Sequence, residues 1–96
     1  MRPRVSWMTG NDDSILEYLY EHDVALPPTG LEINLHREGI GISYSTIHRR
    51  LQKLQDKDLV EKVNEEKGYY AITDKGQKYL EGNLDAEELE DDANST

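Results

Sequence analysis

The sequence contains no cysteine, which removes disulfides, thiolate metal sites and cysteine nucleophiles together and is compatible with a reducing cytoplasm. No uninterrupted aliphatic run exceeds about three residues, Val24-Ala25-Leu26 being one, far short of the ~20 that a membrane-spanning helix needs. The opening Met1-Arg2-Pro3-Arg4-Val5-Ser6-Trp7 is basic but lacks the apolar stretch of a signal peptide. These absences predict a soluble, cytoplasmic protein with no membrane contact. Metal-ligand spacing is missing too: His22, His36 and His48 fall on three different predicted helices, with no H-x-x-x-H and no paired carboxylates. No glycine-rich phosphate loop follows a strand, and Ser43, Ser45 and Thr46 are accounted for by helix capping and by an exposed helix face. The expectation is therefore no enzyme, no cofactor and no bound metal. With 96 residues the chain makes one domain, burying roughly 60–65% of its unfolded surface, too little for a large active-site cleft.

The net charge of −9 argues against a nucleic-acid partner only until its distribution is examined. From Glu81 onward there are seven acids and no lysine or arginine, so residues 1–80 hold 13 acids against 11 bases, a net −2. The acidity is mostly a tail. Adaptation to molar salt, an acidic interaction tail and simple solubility would all produce it.

Along the chain, Thr9 followed three residues later by Asp12 is a capping-box pattern opening a first helix, whose stripe Ile15, Leu16 and Leu19 ends near His22. After Pro27-Pro28, a second capping box at Thr29-Gly30-Leu31-Glu32 predicts a short helix carrying Leu31 and Leu35 to about Arg37. Gly39 and Gly41 allow a tight turn, and Ser43 caps a third helix. Two helices joined by such a turn form a helix-turn-helix. The period then changes. Leu59 to Val63 and Tyr69 to Ile72 are β-prone runs around a polar Asn64-Glu65-Glu66-Lys67-Gly68 loop, a predicted hairpin. Thr73 caps a further helix through Tyr79-Leu80, broken by Gly82, and Leu84 to Leu89 adds one more turn or helix. Residues Asp91 to Thr96 have no apolar anchor and are expected to be disordered. The predicted organisation is an arm over 1–8, a domain over 9–82 and an acidic extension over 83–96.

The third helix carries the functional signal. Ile47, Leu51 and Leu54 recur at helical spacing and mark the buried side, packed against Ile15, Leu19 and the wing, while Ser45, Arg49, Gln52 and Lys53 point the other way. From Ser43 to Lys57 the cations Arg49, Arg50, Lys53 and Lys57 face the single anion Asp56, a local +3 placed where a phosphate backbone would lie. On this reading Arg49 bonds guanine O6 and N7, and Ser45 and His48 reach neighbouring base edges. Arg50 on the flank and Lys53 one turn on touch phosphate. Thr46 divides between capping and DNA contact, and Tyr44 either stacks on a sugar or packs on the second helix.

Three helices, a two-stranded wing and a following helix are the order of an α+β winged helix-turn-helix domain. The runs Ser45-Thr46-Ile47-His48-Arg49-Arg50-Leu51-Gln52-Lys53-Leu54, Leu59-Val60-Glu61-Lys62 and Gly68-Tyr69-Tyr70-Ala71-Ile72-Thr73-Asp74-Lys75-Gly76 resemble the recognition helix, wing strands and last-helix start of prokaryotic winged-helix regulators. The likeness is greatest to the small haloarchaeal phage-repressor-like winged-helix proteins, with which Trp7-Met8-Thr9 and Leu80-Glu81-Gly82-Asn83-Leu84-Asp85 also agree. The resemblance implies a dimeric regulator of double-stranded DNA, usually a repressor, and names no operator or ligand. One departure is the wing loop, where Glu65-Glu66 precedes Lys67: two carboxylates repel phosphate, so either the wing lies away from the duplex or Lys67 works alone.

Amphipathic material at both ends, Trp7 to Tyr20 and Tyr79 to Leu89, suggests a homodimer, and Trp7, Tyr18 and Tyr20 read as core or dimer-packing residues. The alternative is a winged-helix module that binds protein, which the negative total and the acidic wing would suit.

Overall fold

Each α-helix begins either at a short polar residue whose side chain serves its unpaired amides or at a proline that leaves one amide fewer to serve. In the computed structural model, which describes residues 2–90, Asp12 Oδ2 accepts from the Thr9 backbone amide at 2.8 Å and starts α1 (Gly10–His22). The helix ends at Asp23, which takes a left-handed φ of 51°, a conformation that a short polar side chain tolerates. Helix α2 (Pro28–Arg37) departs from the expected capping box. Pro28 occupies the first helical turn, where its fixed φ suits the helix and its missing N–H costs nothing. Glu32 is thereby released, and its carboxylate accepts from the Tyr44 amide at 3.2 Å, tying α2 to the start of the next helix. Of the two turn glycines, Gly39 takes a positive φ of 82°, whereas Gly41 does not.

Ser43 Oγ accepts from the Thr46 amide at 3.3 Å to start α3 (Tyr44–Asp56). Strands β1 (Val60–Asn64) and β2 (Tyr69–Ile72) pair antiparallel, with a register shift between Lys62 and Asn64 and Gly68 at φ 64° in the loop. Thr73 Oγ1 accepts from the Gly76 amide and caps α4 (Asp74–Leu80). The further turn or helix expected between Leu84 and Leu89 is a short 3₁₀ turn over Ala86–Glu88.

The wing is anchored more firmly than a free hairpin. Leu26, in the α1–α2 connection, exchanges both backbone hydrogen bonds with Tyr70, at 3.0 and 2.9 Å, and lays a third extended segment along β2. Isolated two-stranded hairpins are marginal in water, so this bridge supports the wing.

Ile15, Leu16, Leu19, Leu31, Leu35, Ile47, Leu51 and Leu54 are all fully buried and form the centre of the core. The core also takes in the ends of the chain, since Val5, Leu84 and Leu89 are buried in it, and the Trp7 indole N–H donates to the Leu89 carbonyl at 2.6 Å. Val5, Leu84 and Leu89 therefore pack within one chain, whereas Tyr20 stays exposed. Asp13 holds Arg4 at 2.9 Å and accepts from the Tyr79 hydroxyl, fastening the arm and α4 to α1. Burial first, and then the bond to Asp13, push the Tyr79 phenol far above its ordinary range, so it stays a donor. Among the described residues no helix is long and apolar enough to cross a membrane. The expected disorder of 91–96 lies outside the described residues.

Gly76 is a steric requirement. A Cβ there would sit 2.3 Å from the Leu59 carbonyl oxygen and 2.6 Å from Ile72 Cγ1, so α4 could not approach the strands. Gly76→Ala is expected to cost about 1–3 kcal/mol by overpacking, read as a lowered denaturation midpoint. An unchanged midpoint would show that α4 can shift freely.

Candidate nucleic-acid interface

Burying Ile47, Leu51 and Leu54 leaves a continuous exposed face on α3, on which Ser45, His48, Arg49 and Gln52 all stand in solvent. Tyr44 is also exposed, its ring 6.1 Å from that of His48. Arg49 leans back along the helix, donating from Nη2 to Thr46 Oγ1 at 3.3 Å, and Thr46 in turn accepts from Ser43 Oγ at 3.0 Å. Thr46 therefore belongs to the cap and steadies Arg49. An arginine resting on a weak, solvent-exposed hydrogen bond gives it up readily to a stronger acceptor.

The two flanks of α3 differ. On the flank towards α1, Arg50 turns inward: its Nε and Nη2 donate to Asp12 Oδ1 and Oδ2, both at 2.8 Å, and Nη2 also reaches the Trp7 carbonyl at 2.9 Å. Hydrogen bonding to Asp12 raises the Arg50 guanidinium above its ordinary value, against the cost of burial. The residue expected at phosphate is an internal clamp, because the fully buried Asp12 carboxylate needs a cation and, among the described residues, Arg50 supplies it. Lys53 lies on the same flank, its ammonium 5.4 Å from the centre of the Trp7 ring.

On the opposite flank α3 and the wing enclose an open groove of about 350 Å³, lined by Tyr44, His48, Gln52, Lys62, Glu65 and Lys67 among others. Lys62 projects from β1 into this groove with its ammonium 5.7 Å from the Tyr70 ring. Lys67 is exposed at the hairpin loop, where its backbone amide is held by Asn64 Oδ1 at 3.0 Å. Glu65 and Glu66 line the same groove, so its charge is mixed.

The structure thus assembles Tyr44, Ser45, His48 and Arg49 on one face, sets Lys67 across the groove, and takes Arg50 away. Gln52 and Lys62 are among the groove residues outside the expected site. Gln52 stands on the outward side of the helical wheel, and Lys62 shares the inner face of β1 with buried Val60, but only the tertiary packing shows that this face at Lys62 borders α3.

The other histidines are occupied elsewhere. His22 stacks on Tyr18 with ring centres 4.1 Å apart and lies 3.3 Å from Glu38, while His36 Nε2 approaches the Ile42 carbonyl. Among the described residues, no group of three or more His, Cys, Asp or Glu side chains is placed to hold a metal ion.

Comparison with known proteins agrees with this geometry. The chain is 36% identical over 94 residues to a protein named "Repressor protein" of Halobacterium phage phiH, with 94% of this chain and 98% of the relative covered. Among solved structures, the crystal structure of the PhiH1 repressor-like protein from Haloarcula marismortui superposes with a TM-score of 0.76 at 44% identity, covering 90% of this chain and 91% of the other. The family model for the winged helix-turn-helix phage repressor matches residues 1–92. With four α-helices and a paired wing among the described residues, and that match over nearly its whole length, the chain belongs to the winged helix-turn-helix phage repressor family.

Proposed function

We propose that this protein is a transcriptional repressor that binds double-stranded DNA sequence-specifically as a homodimer, with α3 inserted in the major groove. The observation that carries the reading is the outward face of α3, where Ser45, His48 and Arg49 stand exposed on a helix whose other side is locked into the core. An α-helix fits the B-DNA major groove, and arginine is the side chain best suited to guanine there. The likeness to a halophage repressor supports the same function. The cap engages Ser43 and Thr46, which suits a regulator rather than a catalyst.

In this reading Arg49 meets a base edge, Ser45 and His48 reach its neighbours, and Lys53 and Lys67 face phosphates. A two-fold dimer would read an inverted repeat with half-site centres about 10 bp apart or a multiple of it. Because Val5, Leu84 and Leu89 are spent within one chain, the second copy has to be met by another surface.

The test is selection of bound sequences from a random duplex pool, followed by titration of the selected duplex at several salt concentrations. Arg49→Ala is expected to cost about 1–3 kcal/mol on the preferred site and to relax selectivity at one base position. Lys53→Ala should weaken all sequences alike and flatten the salt slope by about one unit. Unchanged affinity of both variants at every salt would remove α3 from the DNA interface. The protein-binding alternative, favoured by Glu65 and Glu66 in the groove, would then take its place. Light scattering of the complex tests the dimer, and a single copy on the duplex would refute it.

A further inference from the structure

Gln52 stands one turn beyond His48, on the edge of the exposed α3 face that borders the wing. Its Nε2 donates to the Tyr70 hydroxyl at 3.5 Å, the outer limit of a hydrogen bond. That hydroxyl is a fixed point. Tyr70 is only 3% exposed, its backbone is bonded on both sides to Leu26, and its ring carries the Lys62 ammonium.

A glutamine amide has two N–H donors and one carbonyl acceptor. With one N–H on Tyr70, the second N–H and Oε1 remain. They form the donor–acceptor pair that matches adenine in the major groove, whose N7 accepts and whose N6 amino group donates. Guanine offers acceptors at both N7 and O6, so its O6 would oppose Oε1. Contact with the buried Tyr70 hydroxyl limits the rotamers from which the Gln52 amide meets a base, which sharpens the choice.

We propose that Gln52 is a base-reading residue that selects adenine, and that the Tyr70 hydroxyl is its positioning group. This rests on the DNA-reading function proposed above. It also gives the wing a task that does not require Glu65 and Glu66 to approach phosphate, because the hairpin acts through Tyr70 on α3.

The experiment is selection from a random duplex pool with the parent protein, Gln52→Leu, Gln52→Glu and Tyr70→Phe, each checked for folding by circular dichroism. The parent should demand adenine at one position of its site. In Gln52→Leu that position alone should lose its discrimination, by about tenfold. Gln52→Glu offers only acceptors, so the preference there should move to cytosine, whose N4 amino group donates. Tyr70→Phe keeps the buried ring and the backbone bridge and should weaken the adenine preference several-fold with every other position unchanged, a pattern that general loosening of the fold would not produce. A folded Tyr70→Phe that keeps the parent's full adenine preference overturns the positioning role, and if it fails to fold the two Gln52 variants still decide the base-reading role. A parent that selects a site, with Gln52→Leu and Gln52→Glu selecting the same one, overturns this inference alone. A parent that selects no site overturns the DNA-reading function and this inference with it.

Discussion

Arg50→Ala is expected to destabilise the protein by about 3–5 kcal/mol, because it strands a buried carboxylate without its counter-charge. Asp12 has no exposure to solvent, and Arg50 meets both of its oxygens at 2.8 Å while also holding the Trp7 carbonyl. One side chain thus joins α3, the start of α1 and the N-terminal arm. Asp12 serves the Thr9 amide as well, so replacing it would add the loss of a helix cap, about 1 kcal/mol, to the loss of the pair. Arg50→Lys should rescue only part of the stability, since an ammonium cannot make the two parallel bonds of a guanidinium. The measurement is denaturant unfolding of Arg50→Ala, Asp12→Asn and the double variant, whose coupling should be favourable and large. A second readout separates the clamp from a phosphate contact: the salt slope of DNA binding by folded Arg50→Ala should equal the parent's. A slope lower by about one unit, with stability unchanged, would return Arg50 to the DNA interface.

Leu51→Ala is expected to cost about 2–5 kcal/mol. Leu51 is fully buried on the inner side of α3, in one core with Ile15, Leu19 and the wing residue Val60. Truncation removes its transfer free energy and leaves a cavity between elements that are each pinned elsewhere, α1 through Asp12 and the wing through Leu26, so the gap closes poorly. Domains of this size commonly have about 5–10 kcal/mol in all, and the melting temperature should fall sharply. A melting curve within error of the parent's would mean that the apolar stripe, and with it the exposed face of α3, has been assigned to the wrong side.

Much of the fold is legible in the sequence because its signals are local. The spacing of Ile47, Leu51 and Leu54 depends only on the helical period, the caps at Thr9, Ser43 and Thr73 act within three residues, and the hairpin loop sits between two β-prone runs. Where local rules compete, they mislead. Thr29 and Glu32 fit a capping box, but Pro28 starts the helix first, and Glu32 turns to the Tyr44 amide twelve residues away.

The candidate site divides along the same line. That Ser45, His48, Arg49 and Gln52 share an outward face follows from the helical period, and that the local charge of α3 opposes the chain's total follows from composition. Which cations of α3 remain available to a ligand does not follow from either. Arg49 and Arg50 are neighbours of identical chemistry. One rests on an exposed hydroxyl and the other is held by a carboxylate thirty-eight residues away, because α1 happens to bury Asp12 on that flank. The bridge from Leu26 to Tyr70, the groove shared by Gln52 and Lys62, and the packing of Val5 and Leu89 into one core are likewise contacts between distant segments. Hydrogen bonding and burial act on whatever the tertiary fold brings within reach, and a single sequence carries no record of those meetings. The sequence by itself determined the elements, the buried side of each and the exposed face of α3, whereas the tertiary structure alone decided that Arg50 belongs to the scaffold and that Gln52 stands beside the Tyr70 hydroxyl.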